Sequence, residues 1–367
     1  MQELVCGFAG LGLIGGSIAK ALKENLSDIR IIAYDVNKQA LYTAKKEQMI
    51  DDICESLDER FRQCDYIFLC APVQKNTENL SLLKDHLSPE CILTDVGSVK
   101  TGIHKQVERL GLTAQFIGGH PMTGSERYGY VNAKSRLLEN AYYILTPTGQ
   151  TPEEKISAYS QLVKTLGAIP LVLDPAQHDY VTAAVSHLPH IIASSLVNLV
   201  KDSDSSEGIM KMIAAGGFKD ITRIASSSAA MWQQICLTNT ENISGLLGNY
   251  IESLRYIKEQ LDSKKEDELY VLFDSARIYR DSFAAASSGP IKISYTLHVD
   301  IADETGALAS IATILALNNI SIKNIGIVHN REIEEGSLAI EFYDEAIVKK
   351  AKSILEAKGY GIYEKKN

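Results

Sequence analysis

The chain runs to 367 residues, 45% of them hydrophobic and 23% charged, with 25 Gly and 9 Pro, which fits a globular protein of two or three domains and excludes collagen-like, disordered and mucin-like chains. Its 37 basic residues against 46 acidic ones give a net charge of −9 with no dense Lys/Arg block, so neither a nucleic acid nor an anionic membrane is an expected partner. Six scattered cysteines (Cys6, Cys54, Cys64, Cys70, Cys91, Cys236) offer no CxxC pair and no Cys/His ligand spacing, so reduced thiols in a cytoplasmic protein without a metal site are expected.

The uncharged opening stretch, residues 4–19, spans 16 residues with five glycines and no basic leader, and does not read as a signal peptide. Up to about Asp174, short apolar runs (Leu4–Ala9, Ile29–Tyr34, Tyr66–Ala71, Cys91–Thr94, Tyr142–Leu145) alternate with longer helical stretches. That alternation predicts βαβ units and a parallel sheet. From Pro175 to about Phe283 the period becomes helical, and residues 175–286 are expected to form an all-helical second domain after an α/β domain at 1–174. The stretch Tyr180–Val200 lacks Asp, Glu, Lys and Arg and is long enough to span a bilayer, but it carries His187, Pro189, His190 and Asn198, so a buried core helix is the expectation. Residues 284–290 read as a small-residue linker, and a third module at 291–367 runs strand, helix, strand, strand, helix, strand, the ferredoxin-like βαββαβ order.

Gly10-x-Gly12-x-x-Gly15 follows an apolar strand and opens a helix, and Asp35 lies 20 residues beyond Gly15 at the end of the second strand. In that context the glycines allow a tight turn, close backbone approach to a pyrophosphate and close helix packing, with the amides of Leu13 and Ile14 at the helix start. Asp35 would accept the ribose hydroxyls and repel a 2′-phosphate, which favours NAD over NADP.

The run Phe116-Ile-Gly-Gly119 delivers His120 into the polar loop Pro121-Met-Thr-Gly-Ser125-Glu126, and Thr94-Asp-Val-Gly-Ser98-Val-Lys100 leaves a neighbouring strand in a similar turn. Ligands bind at such a carboxyl edge, and a histidine suits the removal of a carbinol proton. In Ser186-His187-Leu-Pro189-His190 two histidines at i, i+3 flank a proline that should kink the helix; a metal pair, a substrate role, or one packed and one exposed side chain are all open readings. After Gly216-Gly217, Lys219 and Arg223 share a face, either as an anion site or as an Asp220–Arg223 surface pair, and Trp232, the single tryptophan, reads as core or interface.

Taken together, Gly10-Leu-Gly-Leu-Ile-Gly-Gly-Ser17, Asp95-Val-Gly-Ser98-Val-Lys100, Gly-Gly-His120-Pro-Met-Thr-Gly-Ser-Glu126, Ser186-His-Leu-Pro-His190 and Gly217-Phe-Lys-Asp-Ile-Thr-Arg223 resemble the prephenate dehydrogenases of tyrosine biosynthesis over nearly all of residues 1–283. The tail resembles an ACT domain, through Ala302-Asp-Glu-Thr-Gly306 and Asn319-Ile-Ser-Ile-Lys-Asn324. The resemblance implies NAD-dependent oxidative decarboxylation of prephenate, a dimer formed through the helical domain, and a tyrosine effector at the tail. It also implies roles: His120 as proton acceptor, Ser98 holding the same hydroxyl, Arg223 binding a carboxylate, His190, Ser125 and Lys219 lining the pocket, Glu126 and Asp220 shaping its polarity, and Gly216 and Trp232 arriving from the partner subunit. Oxidation of arogenate, a β-hydroxyacid dehydrogenase, and a non-catalytic sensor of NAD and an amino acid are the competing readings.

Overall fold

A computed structural model describes residues 3–124, 127–286, 295–301, 306–328 and 336–363, and the chain divides into two units, Met1–Lys265 and Glu266–Asn367. In the first unit β1 (Leu4–Ala9), β2 (Ile29–Tyr34), β3 (Asp52–Ile53), β4 (Tyr66–Leu69) and β5 (Ile92–Asp95) form a parallel sheet of order β3-β2-β1-β4-β5. The crossovers carry α1 (Leu13–Asn25), α2 (Lys38–Lys46) and α3 (Val73–Leu83). Both faces of the sheet are covered, which explains its unbroken apolar strands. Cys6, Phe8, Ile31 and Phe68 enter one core, while Ala9, Ile32, Ile67 and Leu69 alternate into the other.

Beyond α4 (Thr101–Leu110) the sheet pattern departs from the all-parallel expectation. The strand β6 (Ile117–Pro121) lies beside β5 through a parallel bridge from Leu93 to Phe116, but pairs antiparallel with β7 (Tyr142–Pro147). A loop with two short 3₁₀ turns joins β6 to β7 in place of a crossover helix, and such a connection permits the antiparallel pairing. The parallel pattern resumes with β8 (Ile169–Val172), reached through α5 (Glu153–Thr165). Consequently the carboxyl ends of β1, β2, β4, β5 and β6 share one edge.

The helical part begins where Asp174 accepts hydrogen bonds from the Ala176 and Gln177 amides and Pro175 occupies the first turn of α6 (Pro175–Thr182). A π-helical turn, Ala183–His187, links it to α7 (Leu188–Ser203). Pro189 therefore falls in the first turn of α7, where its missing N–H is tolerated, and the wide turn takes the place of the expected simple kink. Next come α8 (Ile209–Ile213), α9 (Gly216–Thr222), a 3₁₀ turn (Arg223–Ser226), α10 (Ala229–Thr238) and α11 (Thr240–Asp262). The expectation of a buried core helix is not met. The continuous stretch Pro175–Ser203 is long and apolar enough to cross a membrane, yet within this chain Ala193 is the one buried residue of α7, and Leu199 is 62% exposed. Its apolar surface exceeds what the neighbouring helices of one chain cover.

The second unit holds α12 (Glu266–Ala286), β9 (Tyr295–Ile301), α13 (Ala307–Leu317), β10 (Asn324–Val328), β11 (Gly336–Phe342), α14 (Glu345–Ala357) and β12 (Ile362–Tyr363). Its sheet is antiparallel in the order β10-β11-β9-β12, and Leu297, Val299, Ile311, Leu315, Ile340 and Leu355 form its core. Residues 302–305 of the Ala302–Gly306 loop lie outside the described residues.

Candidate active site

The glycine turn after β1 is built by exclusion. Gly10 takes φ +106°, and a Cβ there would meet the Ala71 amide nitrogen at 2.8 Å. At Gly15 a Cβ would lie 2.7 Å from the Gly10 carbonyl oxygen, so α1 packs against the turn only because both lack side chains. Gly12, by contrast, faces open space and caps α1 with no side chain. The first intrahelical bond runs from the Gly16 amide to the Gly12 carbonyl, which leaves the amides of Leu13, Ile14 and Gly15 to an anion. Asp35, at the end of β2, accepts from the Leu11 amide at 2.6 Å and the Asn37 amide at 2.7 Å, which pins its carboxylate beside the turn. These residues fit a dinucleotide. Gly15→Ala is expected to raise the NAD dissociation constant at least about tenfold by forcing α1 away from the turn; a titration matching the unsubstituted protein would contradict this.

At the far side of the same edge, β5 and β6 are locked together by a buried ion pair. Lys100 Nζ donates to Asp95 Oδ2 at 2.5 Å and to the Gly119 carbonyl at 2.7 Å, while the Gly119 amide donates to Asp95 Oδ1 at 3.2 Å. Both backbone polar groups of Gly119, the residue before His120, are therefore held. Burial lowers the Lys100 pKa against the pull of Asp95.

His120 is buried, and its Nδ1 lies 2.8 Å from Nε2 of His178, which packs on it edge-on. His178 Nδ1 is in turn 2.8 Å from Asp179 Oδ1. Asp179 also accepts the Lys100 amide at 2.7 Å and the Thr101 amide at 2.8 Å, so its carboxylate caps the start of α4. Burial, with smaller contributions from His178 and Lys100, pushes the His120 pKa well below 6.5. Nothing in the sequence had singled out His178 or Asp179; the available signal was an adjacent His–Asp pair in the opening turns of a domain's first helix.

A second histidine cluster lies on the helical side. His187, 1% exposed at the end of the π turn, accepts at Nδ1 from Asn239 Nδ2 (3.2 Å), and the same amide nitrogen donates to the Asp179 carbonyl (2.7 Å). Its proton is thereby placed on Nε2. That Nε2 and the Trp232 Nε1 are buried with no hydrogen-bond partner among the described residues. Trp232 stacks on His190 at 3.7 Å between ring centroids, and His190 Nδ1 donates to the Ser186 carbonyl at 2.9 Å. Arg223 is near enough to add to the burial that lowers the His190 pKa. Two buried donors without a hydrogen-bond partner among the described residues, with Arg223 near the His190 ring that stacks on Trp232, are groups that the oxygens of an anion can satisfy.

The structure thus puts His120 against His178, a residue that the sequence reading had not chosen, and sets His190 on Trp232 with Arg223 near His190. Trp232, on α10, stacks on His190 of α7 within the chain. Ser98 is half-buried in the turn after β5, Gly216 begins α9, and Lys219 and Asp220 are exposed on that helix. Ser125 and Glu126 lie outside the described residues. Among the described residues no group of His, Cys, Asp or Glu could hold a metal ion.

Two histidines, His187 and His104 of α4, set an acid limit on stability. Burial holds His104 and His187 at a pKa of about 4, against an ordinary 6.5. Their folded pKa is depressed, so the unfolded chain takes up protons first, and stability is complete above 6.5 and lost as pH falls toward 4. At 1.36 kcal/mol per unit each costs up to about 3 kcal/mol. The Tm is expected to be level from about pH 8 to 7 and to drop steeply from about 6 to 4; a Tm indifferent to that window would contradict the assignment.

Residues 18–171 match the family model for the prephenate dehydrogenase nucleotide-binding domain, and residues 174–275 that for its dimerization domain. The prephenate dehydrogenase of Bacillus subtilis is 38% identical over 352 residues, covering 95% of each chain. The crystal structure of prephenate dehydrogenase from A. aeolicus in complex with hydroxyphenyl propionate and NAD+ superposes with a TM-score of 0.73 at 32% identity, covering 77% of this chain and 99% of that one. Synechocystis arogenate dehydrogenase gives a TM-score of 0.69 at 29% identity over 76% and 100%.

Proposed function

This chain belongs to the prephenate dehydrogenase family, and from that premise we propose how its residues convert prephenate and NAD to 4-hydroxyphenylpyruvate, carbon dioxide and NADH. The observation that carries the reading is His120, buried at the end of β6 on the edge that also holds the glycine turn, with its Nδ1 2.8 Å from His178 Nε2 and its pKa pushed down by burial. NAD, held by Gly10, Gly12, Leu13, Ile14, Gly15 and Asp35, supplies the hydride acceptor. His120 takes the proton of the ring 4-hydroxyl as the C4–H bond breaks, and the carbinol becomes a carbonyl. The ring carboxylate now stands to that carbonyl as in a vinylogous β-keto acid and leaves as carbon dioxide, the pair of the broken C–C bond passing through the ring double bonds to oxygen. His120 then returns the proton to the phenolate, so no net proton is released.

Ser98 holds the hydroxyl, Arg223 pairs with a substrate carboxylate, and His190, Ser125 and Lys219 line the pocket, with Glu126 and Asp220 setting its polarity. Gly216 and Trp232 close it, and Trp232 Nε1 and His187 Nε2 supply donors to substrate oxygens. A homodimer covers the apolar surface of the helical domain, supported by Val185, Leu199, Ile213 and Leu237, which are 63%, 62%, 71% and 70% exposed. The division at 1–174, 175–286 and 291–367, with an ACT module that binds tyrosine, belongs to the same reading, supported by the strand order of the C-terminal sheet.

NADH formation from prephenate, measured beside arogenate and with added tyrosine, tests these points. Turnover favouring prephenate, with tyrosine inhibition that disappears when residues 290–367 are removed, is the expected result. Preference for arogenate would move the substrate assignment, and inhibition surviving the truncation would remove the effector from the tail.

A further inference from the structure

We propose that His178 and Asp179 are positioning residues that fix the tautomer of His120, so that Nε2, and not Nδ1, is the atom that takes the substrate proton; this rests on the reading of His120 as proton acceptor. Asp179 accepts the Lys100 amide at Oδ1 and the Thr101 amide at Oδ2, at 2.7 and 2.8 Å. These bonds and the one from His178 hold the carboxyl ionised despite its burial. An ionised carboxylate only accepts, so His178 Nδ1, 2.8 Å away, carries the proton and donates it.

The neutral His178 ring then has a lone pair on Nε2. His120 Nδ1 faces that lone pair at 2.8 Å and must be the donor. With its proton committed to Nδ1, the neutral His120 ring has its base lone pair on Nε2. The direction of every bond follows from one end of the chain of contacts, which the backbone of α4 anchors. When Nε2 takes the substrate proton, the imidazolium formed donates to His178, backed by the Asp179 charge; no other proton needs to move. The arrangement has the logic of a base oriented by a second group that is itself held by a carboxylate, reached here through an additional imidazole.

Two substitutions separate this role from simple packing. His178→Leu removes the acceptor, whereas His178→Gln keeps an oxygen that can accept from His120 Nδ1. In the full-length protein, kcat on prephenate is expected to fall about 100-fold or more in His178→Leu and by about tenfold or less in His178→Gln, with KM and NAD affinity little changed in both. Nitrogen-15 NMR of histidine-labelled protein without substrate is expected to show His120 protonated at Nδ1 in the parent and in His178→Gln, and a mixture of tautomers in His178→Leu. Equal losses in both variants, or a parent His120 protonated at Nε2, would overturn the proposal. If the parent protein turned over no prephenate, the functional reading would fail, and the NMR result would still decide the tautomer.

Discussion

Replacing His120 with asparagine is expected to lower kcat on prephenate about 1,000-fold while leaving the NAD dissociation constant within about twofold. Asparagine fills much of the same space at the end of β6 and can still donate toward His178, so the strand and its Asp95–Lys100 clamp should persist. It has no lone pair of comparable basicity to receive the hydroxyl proton, and the effect should appear in kcat because only the step in which the proton moves is lost. The glycine turn and Asp35 lie on other strands and do not change. Steady-state kinetics together with an NAD titration would check both halves. A variant with normal kcat would remove His120 as the base.

Arg223→Ala should produce the opposite division. Loss of a charge-assisted pair with a substrate carboxylate is worth a KM rise of about 10- to 100-fold, with kcat changed by only a few-fold. Arg223→Lys should recover part of the affinity, since it keeps the charge and loses the planar two-pronged donor. The residue sits at the start of the 3₁₀ turn that leads α10 back to Trp232, so a thermal melt should accompany the kinetics to show that the turn has survived. An unchanged KM would place the anion site elsewhere.

Much of this site was legible before any coordinates, for a physical reason: its glycine turn, Asp35 and the His120 loop are each local in sequence. A turn that must pass close to a phosphate or a neighbouring strand requires glycine, and Gly10 and Gly15 meet backbone atoms at 2.8 and 2.7 Å as soon as a Cβ is added. The helical domain and the order of strands and helices along the tail were likewise carried by periodicity. Contacts made at long range were not legible. Asp179 meets the Lys100 amide across 79 residues and His178 meets His120 across 58, and no local pattern records either. Lys100 stood within a quoted motif without a role, because only the fold shows it clamping the Gly119 carbonyl from within a buried ion pair. The antiparallel β6–β7 pair escaped because two apolar runs separated by a loop look the same whichever way they run. The expectation of a buried α7 failed for a related reason: apolar residues forecast burial without saying which surface will cover them.

The most direct test of the central claim is a product balance, in which purified protein is incubated with prephenate and NAD and the NADH, carbon dioxide and 4-hydroxyphenylpyruvate are counted together. Equal amounts of all three, with all three lost in His120→Asn, are the expected result. NAD binding without any turnover, or NADH formed without carbon dioxide, would contradict the account.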